Sequence, residues 1–135
     1  MNITQEADYA VRALLILSEE GDEAKLDAKT IAERGCIPLR FLLKLLRKLI
    51  HAELVKSYRG VNGGYALAKR SKDINLRDII EAVEGPIAIN RCLIKDGVCN
   101  ANRRSFCTIH KGLEKVQKIL SSELERITLE ELKSN

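Results

Sequence analysis

The sequence predicts a mainly α-helical protein that carries one small β-hairpin. Its 135 residues are 45% hydrophobic, which is enough for the core of one domain with a small appendage. Apolar residues recur mostly at helical spacing, and one stretch near the middle of the chain alternates as strands do. Two prolines, no tryptophan and 4% aromatic residues disfavour a β-sandwich. No stretch approaches the roughly 18 apolar residues of a membrane span, and since no secretory leader is visible we expect a cytoplasmic protein.

The N-terminal part of the chain predicts two helices. Residues 3–18 have apolar side chains at helical spacing, and this helix is expected to end near Gly21, in an acidic loop. A short second helix begins at Asp27 or Ala28 and ends at Gly35.

A third helix follows after a tight turn. It runs from Pro38 to about Ala52, because proline suits the first turn of a helix. Two helices joined by a short glycine-containing turn are typical of the helix-turn-helix motif. Cys36 lies in that turn, where we expect it to be a small buried apolar side chain.

A β-hairpin follows the third helix. The segments LVKSYRG and GYALAKR alternate in polarity and flank V-N-G-G, whose Asn-Gly pair is a strong hairpin signal. A helix-turn-helix followed by a hairpin is the winged helix-turn-helix arrangement. The segment NLRDIIEAVEG then predicts a helix that ends at Gly85, so that residues 1–85 form a winged helix-turn-helix domain.

The C-terminal part is predicted to be a loop and one long helix. Residues 86–108 have no periodicity and contain three of the four cysteines. From about Ser105 to about Ile127 a helix has one narrow apolar stripe, which resembles a heptad pattern. We therefore expect residues 109–135, this helix and a tail, to form a homodimer interface. The stripe consists of Ile109, Leu113, Val116, Leu120, Leu124 and Ile127.

The positive charge is concentrated in the centre of the chain. Residues 34–72 carry ten basic side chains and one acidic one, Glu53, whereas the net charge of the whole chain is only +4. A local excess of this size is typical of a nucleic-acid surface, although a solvated face is the simpler alternative. On the third helix, Arg40, Lys44 and Arg47 share one strip opposite four leucines, and this is the helix that enters the major groove in helix-turn-helix proteins.

The hairpin tip adds Arg59, which we expect to reach an adjacent minor groove. The full set of expected DNA contacts is Thr30, Arg40, Phe41, Lys44, Arg47, Lys48, Arg59, Gly60, Asn62 and Gly63.

The three clustered cysteines predict a metal or redox site. Cys92, Cys99 and Cys107 are separated by six and seven residues, and His110 follows the last of them. Three thiols and one further donor can hold a tetrahedral zinc ion or an iron–sulfur cluster, and the loose spacing favours the cluster. A thiol-redox site without metal remains an alternative. The sequence contains no Ser/His/Asp set, acid–base carboxylate pair or phosphate-binding loop, so we do not expect an enzyme.

These motifs resemble the winged-helix iron–sulfur transcription regulators (BadM-type repressors), the family that includes IscR and NsrR. The resemblance covers nearly the whole chain, and the wing and the three-cysteine loop make it specific. The matching positions are Ile3, Thr4, residues 7–14, residues 37–46, Arg59, Gly60, residues 63–65, Ile80, Val83, the cysteines and the ITLEEL segment near the end.

The resemblance implies a homodimeric, sequence-specific DNA-binding regulator that recognises a double-stranded operator. The expected mode of regulation is repression. It implies one cluster per protomer, either 2Fe–2S, which is favoured, or 4Fe–4S, ligated by Cys92, Cys99 and Cys107. His110 resembles the fourth ligand of the IscR branch. Asp8 resembles the carboxylate that the NsrR branch offers across its dimer. Such a protein would sense redox state, nitric oxide or iron–sulfur status, and the alternative is a regulator of the same fold with a zinc or thiol-redox site.

Overall fold

The structure, a computed structural model, describes residues 2–94, 97, 99–102 and 107–133. Within these residues the chain forms six α-helices, two short 3₁₀ turns and one two-stranded antiparallel sheet. The mainly helical class with a single hairpin is therefore confirmed. None of the described helices is long and apolar enough to span a membrane. In chain order the elements are α1 (Gln5–Glu20), α2 (Ala28–Gly35), α3 (Leu39–His51), β1 (Val55–Tyr58), β2 (Gly64–Leu67), a 3₁₀ turn (Ser71–Asp73), α4 (Leu76–Glu84), a second 3₁₀ turn (Arg91–Leu93), α5 (Thr108–Arg126) and α6 (Leu129–Lys133).

Helix α1 is the centre of the core, since α2, α3, α4, α6 and β2 all contact it. Thr4 caps its N-terminus by accepting a hydrogen bond from the backbone N–H of Ala7, at 3.1 Å. The helix ends at Gly21, whose φ of 128° lies in the region that glycine tolerates best. Leu14 and Leu17 are completely buried.

The helix-turn-helix forms as predicted, with one correction. The Asp27 side chain caps α2 by accepting from the backbone N–H of Thr30, and α3 follows after a tight turn. Cys36 was predicted to be buried, but its side chain is exposed. The reason is its left-handed backbone (φ 53°), which reverses the chain so that the flanking residues, Gly35 and Ile37, occupy the buried positions.

The hairpin is also confirmed, but its loop is longer than a two-residue Asn-Gly turn. Val55 pairs with Leu67 and Tyr58 pairs with Gly64, so residues 59–63 form the loop. The outer edge of β2 is held by the loop before α2: Leu26 and Tyr65 exchange two backbone hydrogen bonds of 2.9 and 2.7 Å. A Cβ on Gly64 would lie 2.7 Å from the Leu26 carbonyl oxygen, and therefore this close approach requires glycine.

The C-terminal segment returns to the core. Helix α5 begins at Thr108; the expected start, Ser105, lies outside the described residues. Helix α6, which the sequence analysis left within a tail, brings Leu129 into the core with no exposed surface. The backbone N–H of Leu129 donates to the Ile74 carbonyl and that of Leu76 donates to the Ile127 carbonyl, both at 2.9 Å. The division of the chain at residues 85 and 108 remains a prediction, but α6 packs on the winged-helix part.

A small polar network lies within this core. Ser18 and Ser71 are buried, and their hydroxyl oxygens are 2.5 Å apart. Ser71 donates its single proton to the Asp22 carboxylate, so Ser18 must donate to Ser71. The hydrogen bond from Ser71 holds the pKa of the Asp22 carboxyl below its ordinary value. Because the hydrogen bond favours the ionised Asp22 carboxylate, it stabilises the fold. This stabilisation is fully present above the unfolded-state pKa of Asp22 and is lost as the pH falls through the folded-state pKa.

We predict that Ser71→Ala lowers the free energy of unfolding at neutral pH by about 1 kcal/mol or more, since it removes a charge-assisted hydrogen bond. The share of this loss in free energy that depends on the ionised Asp22 carboxylate should shrink as the pH falls below about 4. Urea denaturation of both proteins at neutral and acidic pH measures this difference. In an Asp22→Asn background the effect of Ser71→Ala should no longer depend on pH, and a persistent dependence would contradict the assignment.

Candidate functional site: a basic helix face and a cysteine loop

Helix α3 presents a basic face because its opposite face is buried. Leu42, Leu45, Leu46 and Leu49 are almost wholly inaccessible, as the sequence predicted. Arg40, Lys44 and Arg47 are exposed on the other side. None of these three cations has an ion-pair partner among the residues that the structure describes. The face is therefore a row of positive charges without counter-ions from the described part of the chain.

The other residues expected at this surface have different environments. Lys48 Nζ lies 2.7 Å from Glu6 Oε1, so that α1 already neutralises this cation. Phe41 is 56% exposed. Thr30 is half-buried at the start of α2 and donates its backbone N–H to Asp27.

The hairpin loop is exposed and turns sharply at two glycines. Arg59, Gly60 and Asn62 are exposed, whereas Gly63 is half-buried. The φ of Gly60 is 97°, and a Cβ on Gly63 would lie 2.3 Å from the Tyr58 carbonyl oxygen. These backbone constraints shape the loop in which the exposed Arg59 lies.

Arg12 is a residue that the sequence analysis did not select. Its guanidinium pairs with Asp8 at 2.5 Å, donates to the carbonyl of Gly35 at 2.9 Å, and lies 5.1 Å from the centre of the Tyr9 ring. Arg12 therefore joins Asp8 to the turn that precedes α3. The Asp-Arg spacing of four residues on a helix is the signal that could have identified this pair.

Around Cys92 the chain folds tightly. The Asn90 side chain donates to Cys92 Sγ at 3.4 Å and accepts from the backbone N–H of Arg91 at 2.9 Å. Cys92 and Cys99 line the same open cleft, of about 470 Å³. The four cysteines of the chain are all within the described residues, and none forms a disulfide.

Gly97 makes this fold possible. A Cβ at this position would lie 2.1 Å from the Arg91 carbonyl oxygen and 2.8 Å from that of Ile94. Its backbone N–H donates to the Ile94 carbonyl at 2.8 Å. The sequence gives no signal for Gly97, because only the path of the backbone reveals this close approach.

Cys107 and His110 lie at the start of α5. Cys107 is the N-cap residue, and His110 is in the first turn with 16% of its side chain exposed. His110 Nδ1 is buried without a hydrogen-bond partner in the described part of the chain, and Nε2 is 4.0 Å from Glu114. A buried polar atom without a partner is unfavourable, so His110 has a coordination position to offer. Asp8, the other candidate fourth ligand, is already paired with Arg12.

The expected ligands are thus brought together only in part. Cys92 and Cys99 share a cleft, and Cys107 and His110 share the start of a helix. Among the described residues, however, no three His, Cys, Asp or Glu side chains form a group that could hold a metal ion.

Helix α5 leaves part of its predicted apolar stripe uncovered. Ile109 and Val116 are 68% and 53% exposed, whereas the other stripe residues, Leu113, Leu120, Leu124 and Ile127, are half-buried. Ile119, which lies beside the stripe, is 66% exposed, and no described residue of the helix is buried. The homodimer expected from this stripe remains a prediction.

Comparison with known proteins gives consistent results. A family model named Rrf2, described as an iron-dependent transcriptional regulator, matches residues 3–135. A putative HTH-type rrf2-like transcriptional regulator of Rhodobacter capsulatus is 34% identical over 136 residues, covering 96% of this chain and 91% of the relative. The HTH-type transcriptional regulator IscR of Yersinia pestis is 34% identical over 135 residues, covering 100% of this chain and 80% of the relative.

Two solved structures have nearly the same fold. The structure of T. potens IscR has a TM-score of 0.77 and 31% identity, with 98% of this chain and 85% of that chain covered. The structure of CymR, the global cysteine regulator of B. subtilis, has a TM-score of 0.77 and 28% identity, with 99% and 97% covered.

We predict that Gly97→Ala displaces the turn around Cys92, because the new methyl group would overlap backbone oxygens. The metal-free variant should react with a thiol reagent at least several-fold faster at Cys92 and Cys99, which mass spectrometry of the modified peptides can measure. Gly112→Ala is the matched control, since a Cβ there meets no atom within 4 Å. Equal reaction rates for Gly97→Ala and the wild type would show that the turn tolerates a side chain.

Proposed function

Because the chain belongs to the Rrf2 family of transcriptional regulators, we propose that it binds an operator as a homodimer and senses an iron–sulfur cluster held by its cysteine loop. Its relatives are named as transcriptional regulators, a non-enzymatic family, and the prediction that the chain is not an enzyme is confirmed. The observation that carries the DNA-binding proposal is the unpaired basic face of α3 on the second helix of the helix-turn-helix.

The proposed operator contacts follow from the chemistry of this face. Arg40 and Arg47 have the geometry to bind guanine O6 and N7 in the major groove, and Lys44 supplies a charge for phosphate or base. Arg59 at the hairpin loop would enter the neighbouring minor groove. Lys48 is a weaker contributor than the other cations because Glu6 already neutralises it.

The homodimer proposal is supported by the exposed stripe on α5. Isoleucine and valine side chains that are more than half exposed along one helix face gain stability when a second copy covers them. A two-fold symmetric dimer would also place two copies of α3 at a fixed spacing, which a palindromic operator can match.

The cluster proposal is supported by the donors present: three thiols and the buried, unpartnered Nδ1 of His110. We propose Cys92, Cys99, Cys107 and His110 as the ligands, with Asp8 as the alternative fourth ligand. When bound, a cluster supplies redox-active iron and sulfide, so oxidation, nitrosylation or iron starvation would change its occupancy. A 2Fe–2S cluster is the first expectation and a 4Fe–4S cluster the second.

The cysteine loop, residues 86–108, contacts α5, and α5 in turn contacts α4. The backbone N–H of Ile89 donates to Gln117 of α5 at 2.9 Å, and Arg77 of α4 contacts Glu125 of α5 at 3.5 Å. A change in the loop on ligand binding would therefore act on α5 and α4, and through them on the spacing of the two copies of α3. If Asp8 were the fourth ligand, it would have to leave Arg12, which also binds the turn before α3.

A cysteine-using regulator without a cluster is the second candidate. It is supported by the similarity to CymR, the global cysteine regulator of B. subtilis, and by the absence of a three-ligand group among the described residues. Zinc binding or reversible thiol oxidation would then replace the cluster.

We predict that protein purified without oxygen is coloured and contains matched iron and sulfide. Cys99→Ala should lose most of both because it removes a ligand, whereas Cys36→Ala should retain them because Cys36 lies outside the loop. His110→Ala should alter the visible spectrum more than Asp8→Ala does, since only His110 has a free buried nitrogen. The measurements are the anaerobic absorption spectrum and metal and sulfide analysis. A colourless protein that contains zinc or no metal, even after reconstitution, would contradict the cluster proposal and favour the second candidate.

We also predict that Arg47→Ala and Arg59→Ala each weaken operator binding about tenfold or more and reduce the salt dependence of affinity. Fluorescence anisotropy with a selected operator at several salt concentrations measures both quantities. Arg126→Ala, which removes an exposed cation paired with Glu123 on α5, is the control and should bind normally. Unchanged affinity for both test variants at moderate salt would refute the proposed DNA-binding surface.

A further inference from the structure

The exposed side of α3 carries apolar side chains as well as cations. Leu39 is 44% exposed and Leu43 is 40% exposed. Neither belongs to the hydrophobic core or to the apolar residues packed against it. Both leucines therefore keep at least two-fifths of their surface uncovered by the described part of this chain.

Helix geometry places these two leucines in one ridge with a cation. Residues four apart lie about 40° from each other around a helix, so Leu39, Leu43 and Arg47 follow one another along the surface. Arg40 and Lys44 form the neighbouring ridge. The ridge of Leu39, Leu43 and Arg47 thus lies between the buried leucines and the centre of the basic face.

The charges on this face indicate what covers the leucines. A purely apolar protein surface would have to desolvate Arg40, Lys44 and Arg47 without giving them counter-ions, which is costly. The major groove of DNA provides both chemistries at once: phosphates and guanine acceptors for the cations, and the thymine C5-methyl group for an apolar side chain. The N-terminal residues of a recognition helix are the ones that contact base edges, and Leu39 and Leu43 lie there.

We propose that Leu39 and Leu43 are specificity-determining residues that contact thymine methyl groups in each operator half-site, next to the base contacted by Arg47. This inference rests on the proposed DNA-binding function. It predicts that each operator half-site contains at least one thymine at a fixed distance from the guanine that Arg47 binds. Phe41 lies on the other edge of the basic face and is not part of this contact.

The test removes the methyl group and the side chain separately. The operator is first selected from a random DNA library with the wild-type protein, and each half-site thymine is then replaced by deoxyuridine, which lacks only the C5-methyl group. Binding by the wild type should weaken about fourfold for each methyl that a leucine covers. Leu43→Ala or Leu39→Ala should bind the thymine operator more weakly and should no longer distinguish thymine from uracil at one position. Ile3→Ala, which shortens an exposed apolar residue elsewhere, is the matched control and should keep the discrimination.

The outcomes separate this inference from the function on which it rests. If no DNA sequence is enriched, the proposed DNA binding fails. If an operator is enriched but no thymine-to-uracil replacement affects the wild type, or the leucine variants keep the full discrimination, the inference is overturned. A loss of dimerisation in Leu43→Ala, measured by light scattering, would instead assign these leucines to a protein contact and would also overturn it. The uracil measurement uses the wild-type protein and therefore does not depend on how well the variants fold.

Discussion

The burial of one face of α3 is the constraint on which the rest of the molecule depends. Four leucines of this helix pack into a core built around α1, and together they leave almost no exposed surface. At about 2 kcal/mol for each fully buried leucine, this packing exceeds any exposed ion pair that α3 can form. The rotation of the helix about its axis is therefore fixed by apolar contacts. Its basic face points outward as a consequence, without any dedicated interaction that orients the cations.

The connection between the two ends of the chain follows from the same core. Helix α6 brings Leu129 under α1, and the backbone near Ile127 pairs with the residues that begin α4. Both ends of the segment that contains the cysteine loop and α5 are consequently anchored to the winged-helix part. Under the proposed function, a change in the loop would therefore reach α5 and α4 through the contacts of Gln117 and Glu125.

Sequence periodicity was sufficient for the helices and the hairpin because their apolar patterns are strong and local. It failed where tertiary packing or an unusual backbone decides. Cys36 is exposed because of a left-handed residue, Leu129 is buried by a segment distant in sequence, and Gly97 is required by two carbonyl oxygens that only the folded loop brings near. In the site, the sequence indicated the residue types but not their partners. Lys48 pairs with Glu6 and Arg12 with Gly35, and because the two residues of each pair are far apart in the chain, no local sequence pattern links them.

The described part of the isolated chain leaves three unsatisfied features, and each requires a different kind of partner. The cations of α3 need anions, the isoleucines of α5 need an apolar surface, and the buried Nδ1 of His110 needs a hydrogen-bond partner or a metal. A polyanion offers little apolar surface to cover the α5 stripe, and a second copy that covers this stripe with its own α5 does not thereby neutralise α3. The imidazole nitrogen is too enclosed for either of them to reach. The proposed function supplies all three partners: DNA for α3, a second protomer for α5 and a small ligand for His110.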